Sequence, residues 1–193
     1  MFKALCRWLF KLRGWRFVGE EAAKHRRCVV VAAPHTSNWD FIFMIASFEL
    51  MKLPLRFTIK REWMRFPFNL MIGPIGGLSV DRRPRAETGE RPSMVEAMAG
   101  LFDEHAGDLA IVVTPEGTRA LRDRWRSGFY YVAKEANVPI LLGYLDYAKK
   151  EAGIGKVIFP GDDFEADMRE IMAFYATIAP HTPAKFALDG RFS

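Results

Sequence analysis

The chain has 193 residues, half of them hydrophobic, which is enough for one domain with a substantial core, and no second domain is expected. Its net charge of +5 and pI near 9.3 arise at the N-terminus. There Lys3, Arg7, Lys11, Arg13, Arg16, Lys24, Arg26 and Arg27 are balanced only by Glu20 and Glu21. Two cysteines, Cys6 and Cys28, lack metal-ligand spacing; they exclude a disulfide framework and fit reduced thiols in a cytosolic setting.

Taken in order, residues 1–13 read as a basic amphipathic helix. Phe2, Leu5, Trp8, Leu9 and Leu12 share one face, and Lys3, Arg7 and Lys11 lie opposite. Such a helix either lies in a membrane interface or docks its apolar face on the domain core. Residues 1–20 are accordingly set apart as an arm from a body over 21–193, and the arm's charge calls for an anionic surface, lipid or nucleic acid. Charges interrupt the apolar stretch and no small-residue cleavage site follows, so no signal peptide is expected. The longest uncharged run, Phe66 to Val80, contains two prolines and three glycines and is too short to span a bilayer.

The run from Val29 to Ala33 has the length and β-branched content of a strand buried on both faces, and Pro34 ends it. His35 emerges at the strand's carboxyl end, where parallel α/β sheets hold their chemistry, and Asp40 falls in the first turn of the next helix. On a continuous helix these two side chains would point about 140° apart, so contact needs the bend that Pro34 and Thr36-Ser37-Asn38 supply. Asp40 can then accept the Nδ1 proton of His35 and leave Nε2 as a general base. The same Ser37-Asn38-Trp39-Asp40 also reads as a capping box, and the two readings are compatible.

A largely buried helix from Phe41 ends near Lys52 before Pro54, and Leu55 to Ile59 form a strand delivering Lys60 to the same edge. Glu62 to Met71 reads as a further helix, whose aromatics and methionines line an apolar groove or simply fill the core. A glycine-rich turn, Gly73 to Gly77, leads into a short strand, Leu78 to Val80, and then Asp81-Arg82-Arg83-Pro84-Arg85. Pro92 to His105 is helical, with His105 as its cap. Leu109 to Val113 is a second buried strand that Pro115 terminates where Glu116-Gly117-Thr118-Arg119 turns back over the sheet edge. Gly117 permits a close backbone approach there. Arg122, Arg124 and Arg126 follow, with Trp125 among them.

A helix over 128–136 and strands over Pro139 to Leu145 and Lys156 to Phe159 continue the pattern, the last two strands antiparallel around Gly153-Ile154-Gly155. Asp163 to Ile178 closes the domain as a helix, and the tail from Pro180, with His181, is expected to be loosely ordered. The fold expected is a single α/β domain with a mainly parallel mixed sheet flanked by helices and preceded by the amphipathic helix.

Four stretches occur in a telling order: His35-x4-Asp40, Gly77-Leu78-Ser79-Val80-Asp81-Arg82, Pro115-Glu116-Gly117-Thr118-Arg119 and Val138-Pro139-Ile140, with Lys60-Arg61-Glu62 before the second. They resemble motifs I to IV of the glycerolipid acyltransferases, and the lysophosphatidic acid acyltransferases in particular. Ala33-Pro34 and Thr114 depart from the residues that often stand there in the family.

That resemblance implies transfer of an acyl group from acyl-CoA or acyl-carrier protein, as co-substrate, to the free hydroxyl of a lysophospholipid such as 1-acylglycerol 3-phosphate. His35 and Asp40 are the expected catalytic pair. Lys60, Arg82, Glu116, Gly117, Thr118 and Arg119 are the expected substrate-binding residues: the arginines on the phosphate, the Gly117 and Thr118 amides as added donors, and Glu116 steadying Arg82 or Arg119 or bonding an acceptor hydroxyl. No metal or other cofactor is called for, since no His, Cys and carboxylate cluster has ligand spacing. No Gly-x-Ser-x-Gly elbow occurs, although Ser37 lies close to His35. The location implied is peripheral, on the cytoplasmic face of an anionic membrane, with no nucleic acid. The alternatives are another lysolipid acceptor such as a lyso-aminolipid, or a non-catalytic peripheral membrane or nucleic-acid-binding module.

Overall fold

A computed structural model describes residues 2–19, 24–53, 55–59, 76–79 and 91–193. The elements in order are α1 (Phe2–Leu12), β1 (Arg16–Val18), β2 (Arg27–Ala32), α2 (Asn38–Met51), β3 (Leu55–Ile59), β4 (Gly77–Ser79), α3 (Met94–Glu104), β5 (Leu109–Val113), α4 (Gly128–Glu135), β6 (Ile140–Asp146), β7 (Glu151–Ile158) and α5 (Phe164–Tyr175). The expected helix over 62–71 and the Lys60, Asp81 and Arg82 positions lie outside the described residues.

One seven-stranded sheet runs in the order β1-β7-β6-β2-β5-β3-β4, every neighbouring pair parallel except β6 with β7. The period of two along the apolar strands sorts their side chains between two cores. Val29 and Val31 of β2 and Ile111 of β5 face α3, α4 and α5, while Cys28, Val30 and Val112 face α1 and α2. The mainly parallel α/β domain expected from the alternation of elements is therefore present.

The connection after β2 leaves through α2 on one face and returns at β3. The connection after β5 leaves through α4 on the other face and returns at β6, on the far side of β2. Crossovers that diverge in this way open a crevice at the carboxyl ends of β2 and β5.

Three expectations are corrected. The β6–β7 turn spans residues 147–150, where Asp146 accepts the Ala148 and Lys149 amides at 3.0 Å each and Lys150 adopts φ +54, instead of lying around Gly153-Ile154-Gly155. Those glycines belong to β7 because their neighbours leave no room: a Cβ at Gly153 would meet Val18 O at 1.7 Å, and one at Gly155 would meet the Phe174 ring at 2.3 Å. Arg16–Val18 is the strand those contacts admit, and no apolar run announced it. Residues 2–18, expected as an arm, thus contribute α1 and β1 to this same domain.

The tail after Pro180 is the third correction, since it is docked. Asp189 is fully buried, accepts the Trp125 amide at 2.9 Å and pairs with Arg191 at 2.7 Å. The Trp125 indole donates to Ala187 O at 3.0 Å, and the Thr182 amide donates to Thr36 Oγ1 at 3.2 Å. The tail therefore straps down both loops at the crevice, those after β2 and after β5.

The first helix also docks, but not through the stripe expected. Cys6 and Phe10 are buried, Phe10 packs edge-on to Phe43 of α2, and Lys3 pairs with Glu49 at 2.9 Å. Leu5 (50 % exposed), Trp8 (57 %) and Leu12 (63 %) remain on the surface with Phe2. Among the described residues no helix is long and apolar enough to cross a membrane.

Asp189→Ala leaves the buried Trp125 amide without an acceptor, a loss of about 1–3 kcal/mol. At about 2–4 °C per kcal/mol for a domain of this size, Tm should fall by roughly 2–12 °C in calorimetry. Burial opposes ionisation of Asp189, but the bonds from Arg191 and Trp125 hold its carboxyl below the ordinary 3.8. The contribution is therefore complete above that value and lost as pH falls through the folded-state value. An unchanged Tm would mean that the tail is not a structural strap.

Candidate active site

His35 follows the end of β2 beyond a cis Ala33–Pro34 peptide, and its ring lines a cavity of about 480 Å³ in the crevice. That size suits a small-molecule ligand. Met44, Phe48 and Met51 of α2, Phe57 of β3, and Met94 and Met98 of α3 supply apolar wall. His35, Asp40, Thr114, Arg119 and Arg126 supply a polar end.

The capping box forms. Ser37 Oγ accepts the Trp39 amide at 3.2 Å, and Asp40 Oδ2 accepts the amides of Ser37 and Thr36 at 2.7 Å each. The same oxygen lies 3.7 Å from His35 Nδ1. This is ion-pair proximity but longer than a hydrogen bond, so Asp40 is held first by the helix start and only then presented to the imidazole. Its other oxygen, Oδ1, accepts the Tyr147 hydroxyl at 2.7 Å. Tyr147 had no signal in the sequence, because it reaches Asp40 across 107 residues from the β6–β7 turn.

Burial pushes the His35 imidazole below its ordinary value of 6.5; Asp40 works against that shift and Arg119 adds to it. The ring is thus held neutral near pH 7, the form that can take a proton.

Glu116 is buried, and both of its oxygens meet the His35 amide, at 2.9 and 3.2 Å. This backbone clamp is the hydrogen bonding that Glu116 makes among the described residues, and Arg82 lies outside them. Burial drives its carboxyl up to about 7, against the lowering effect of the His35 amide, and the Asp40 charge adds to the rise.

Gly117 adopts φ +68, and a Cβ there would stand 3.1 Å from Arg126 Cζ. Its amide donates to Thr114 O at 3.0 Å, so what Gly117 contributes here is a left-handed turn and room for the Arg126 guanidinium. Thr118 accepts the Ala120 amide at 3.2 Å through its hydroxyl. Arg119 is exposed at the cavity, and no ion pair among the described residues ties it to Asp123. Arg126, which the sequence left among several loop arginines, joins it because its amide is fixed to Pro115 O at 2.9 Å. Lys60 and Arg82 lie outside the described residues. Among the described residues, no group of three or more His, Cys, Asp or Glu side chains could hold a metal ion.

The arrangement is a neutral base backed by a carboxylate, at the junction of an apolar chamber and two guanidinium groups. It can deprotonate a hydroxyl on a ligand with an apolar and an anionic part. A family model described as Acyltransferase matches residues 14–141. No curated protein and no solved structure gives a significant match.

Glu116 provides a test of the site's electrostatics. Its folded-state value near 7 lies above the ordinary 4.5, so its ionisation costs stability as pH rises through that window. Glu116→Gln removes the titration. The Tm of the variant relative to the parent should therefore improve between about pH 5 and about pH 8. A difference independent of pH would show a solvated carboxyl.

Proposed function

Because the chain belongs to the acyltransferase family, that of the glycerolipid acyltransferases, on a match that spans His35, Asp40 and Arg119, we propose that it moves a fatty acyl group from acyl-CoA or acyl-carrier protein to the hydroxyl of a lysophospholipid, 1-acylglycerol 3-phosphate fitting best. The observation that carries this reading is the neutral, half-buried His35 beside Asp40 where an apolar cavity meets Arg119 and Arg126.

In the proposed reaction His35 Nε2 takes the hydroxyl proton as the acceptor oxygen attacks the thioester carbonyl carbon, and Asp40 stabilises the imidazolium. The tetrahedral oxyanion then collapses, the C–S bond breaks, and the leaving thiolate takes the proton from His35. An ester and a free thiol result, with no acyl-enzyme. The methionine-lined wall suits an acyl chain, since thioether side chains adapt to a flexible hydrocarbon. Arg119 suits a phosphate because its planar fork pairs two oxygens at once.

Kinetics with labelled acyl-CoA against a panel of lysolipids test this reading. His35→Ala should lower turnover by about 10²–10⁴-fold in a folded protein, with Asp40→Asn lowering it less. Arg119→Lys should raise KM for lysophosphatidate and leave that for the thioester nearly unchanged. Retention of more than about a tenth of turnover by His35→Ala would reject the general base. Equal turnover of a lyso-aminolipid would reject the phosphate acceptor.

The reading extends to location: a peripheral protein on the cytoplasmic face of an anionic membrane, held by the exposed face of α1. Its support is that α1 docks through Cys6 and Phe10 and leaves Leu5, Trp8 and Leu12 outward, beside basic side chains. Leu5→Glu with Trp8→Glu should move the protein from vesicles to the soluble fraction without changing Tm. Undiminished flotation with vesicles would refute the interfacial role.

A further inference from the structure

A second concavity, of about 200 Å³, lies where the end of α1, the start of α2 and the β6–β7 turn meet. Its aromatic side is continuous: Trp15 packs on Phe43 at 4.7 Å between ring centres and edge-on to Tyr147 at 4.8 Å, and Tyr147 meets the His181 ring at 4.8 Å. Trp39 stacks on Phe43 from the other side. Arg13, Lys150 and His181 line the same space, all three exposed.

Among the described residues, no acid neutralises the charge here. Each acid on the elements around it is engaged elsewhere: Glu49 with Lys3, Asp146 with Lys149, Glu151 with Arg16, and Asp40 with Tyr147 and the helix start. Arg13 lies over the Trp39 ring at 4.6 Å, and among the described residues no ion pair includes Arg13 or Lys150. A cation held against an aromatic face keeps its outward N–H groups for an anion.

The geometry points to a binding site for the phosphate of an anionic phospholipid headgroup, separate from the acceptor's phosphate at Arg119. Arg13 and Lys150 supply the charge, the His181 ring a hydrogen-bonding nitrogen, and the aromatic side a wall for the glycerol. The site rests on the interfacial reading of α1. Leu12, the last residue of the helix and largely exposed, directly precedes Arg13, so a bilayer against that face brings its headgroups to the rim of the concavity. Lys150 is fixed there by its carbonyl, which accepts the Arg16 amide at 3.0 Å, and by the αL turn that reverses the chain into β7. The concavity is also linked to the first site: the Tyr147 side chain that lines it donates to Asp40, which lines the first cavity.

The test measures binding alone, in the His35→Ala protein without acyl donor, so its outcome is independent of whether the acyl-transfer reading holds. Affinities are measured for phosphatidylcholine vesicles with and without phosphatidic acid. Arg13→Gln with Lys150→Gln should remove the preference for phosphatidate vesicles, weakening binding by about tenfold or more, while Arg7→Gln with Lys11→Gln, which deletes equal charge, should cost much less. Arg119→Gln removes only the phosphatidate that the first cavity would hold as product and should keep most of the preference for phosphatidate vesicles. Equal losses from the two charge-deleting pairs would reduce the basic surface to diffuse attraction and overturn the site. Loss of the preference on Arg119→Gln would assign the phosphate to the first cavity and overturn it also. Inorganic phosphate should compete only weakly; saturation by free phosphate at concentrations that abolish vesicle binding would identify a site for a soluble anion and overturn the lipid assignment.

Discussion

A carboxylate can be buried only when its lone pairs are filled, and Asp40 meets that condition with three donors drawn from two parts of the chain. Two are the amides at the start of α2, which four-residue spacing brings to it. The third is the Tyr147 hydroxyl, which comes from beyond β6. A group restrained from both sides has a fixed position, and His35 lies 3.7 Å from it. Helix cap and neighbour of His35 are therefore compatible roles: the bonds that cap α2 also hold the carboxylate beside the imidazole.

The sheet sets the other boundary of the site. Five consecutive residue pairs lock β2 to β5 in parallel register, from Arg27 with Leu109 to Val31 with Val113, so the loops that follow leave one edge side by side. Glu116 then bonds the His35 amide across that edge, and the tail ties Thr36 and Trp125 from behind. Two loops that diverge around opposite helices would otherwise be joined only through the sheet beneath them. A buried carboxylate driven up to about 7 is the energetic consequence of joining them here.

The first helix carries two apolar faces with different fates. Cys6 and Phe10 complete the core around Phe43, whereas Phe2, Leu5, Trp8 and Leu12 stay exposed. The stripe read from sequence is open to a membrane interface or to docking on the core, and the helix docks through Cys6 and Phe10 instead. The concavity begins at Arg13, directly after Leu12, and adjoins the Asp40 network through Tyr147.

Local patterns in the sequence determined most of the secondary structure and the chemistry at the start of α2. The β-branched run of β2, the Ser37 to Asp40 cap, the His105 end of α3 and the Pro115 break after β5 are each written within a few residues, where propensity and spacing act. Only the tertiary structure decided the elements whose stability comes from distant neighbours. Arg16–Val18 is a strand because Gly153 leaves space for it, the Asp189 tail is ordered because Trp125 offers it an amide, and Glu116 turns to His35 because the β2–β5 register puts that amide within reach. Tyr147 is the clearest case. A tyrosine in a polar turn has no local signature, and its role exists only because β6 ends beside the helix that Asp40 begins.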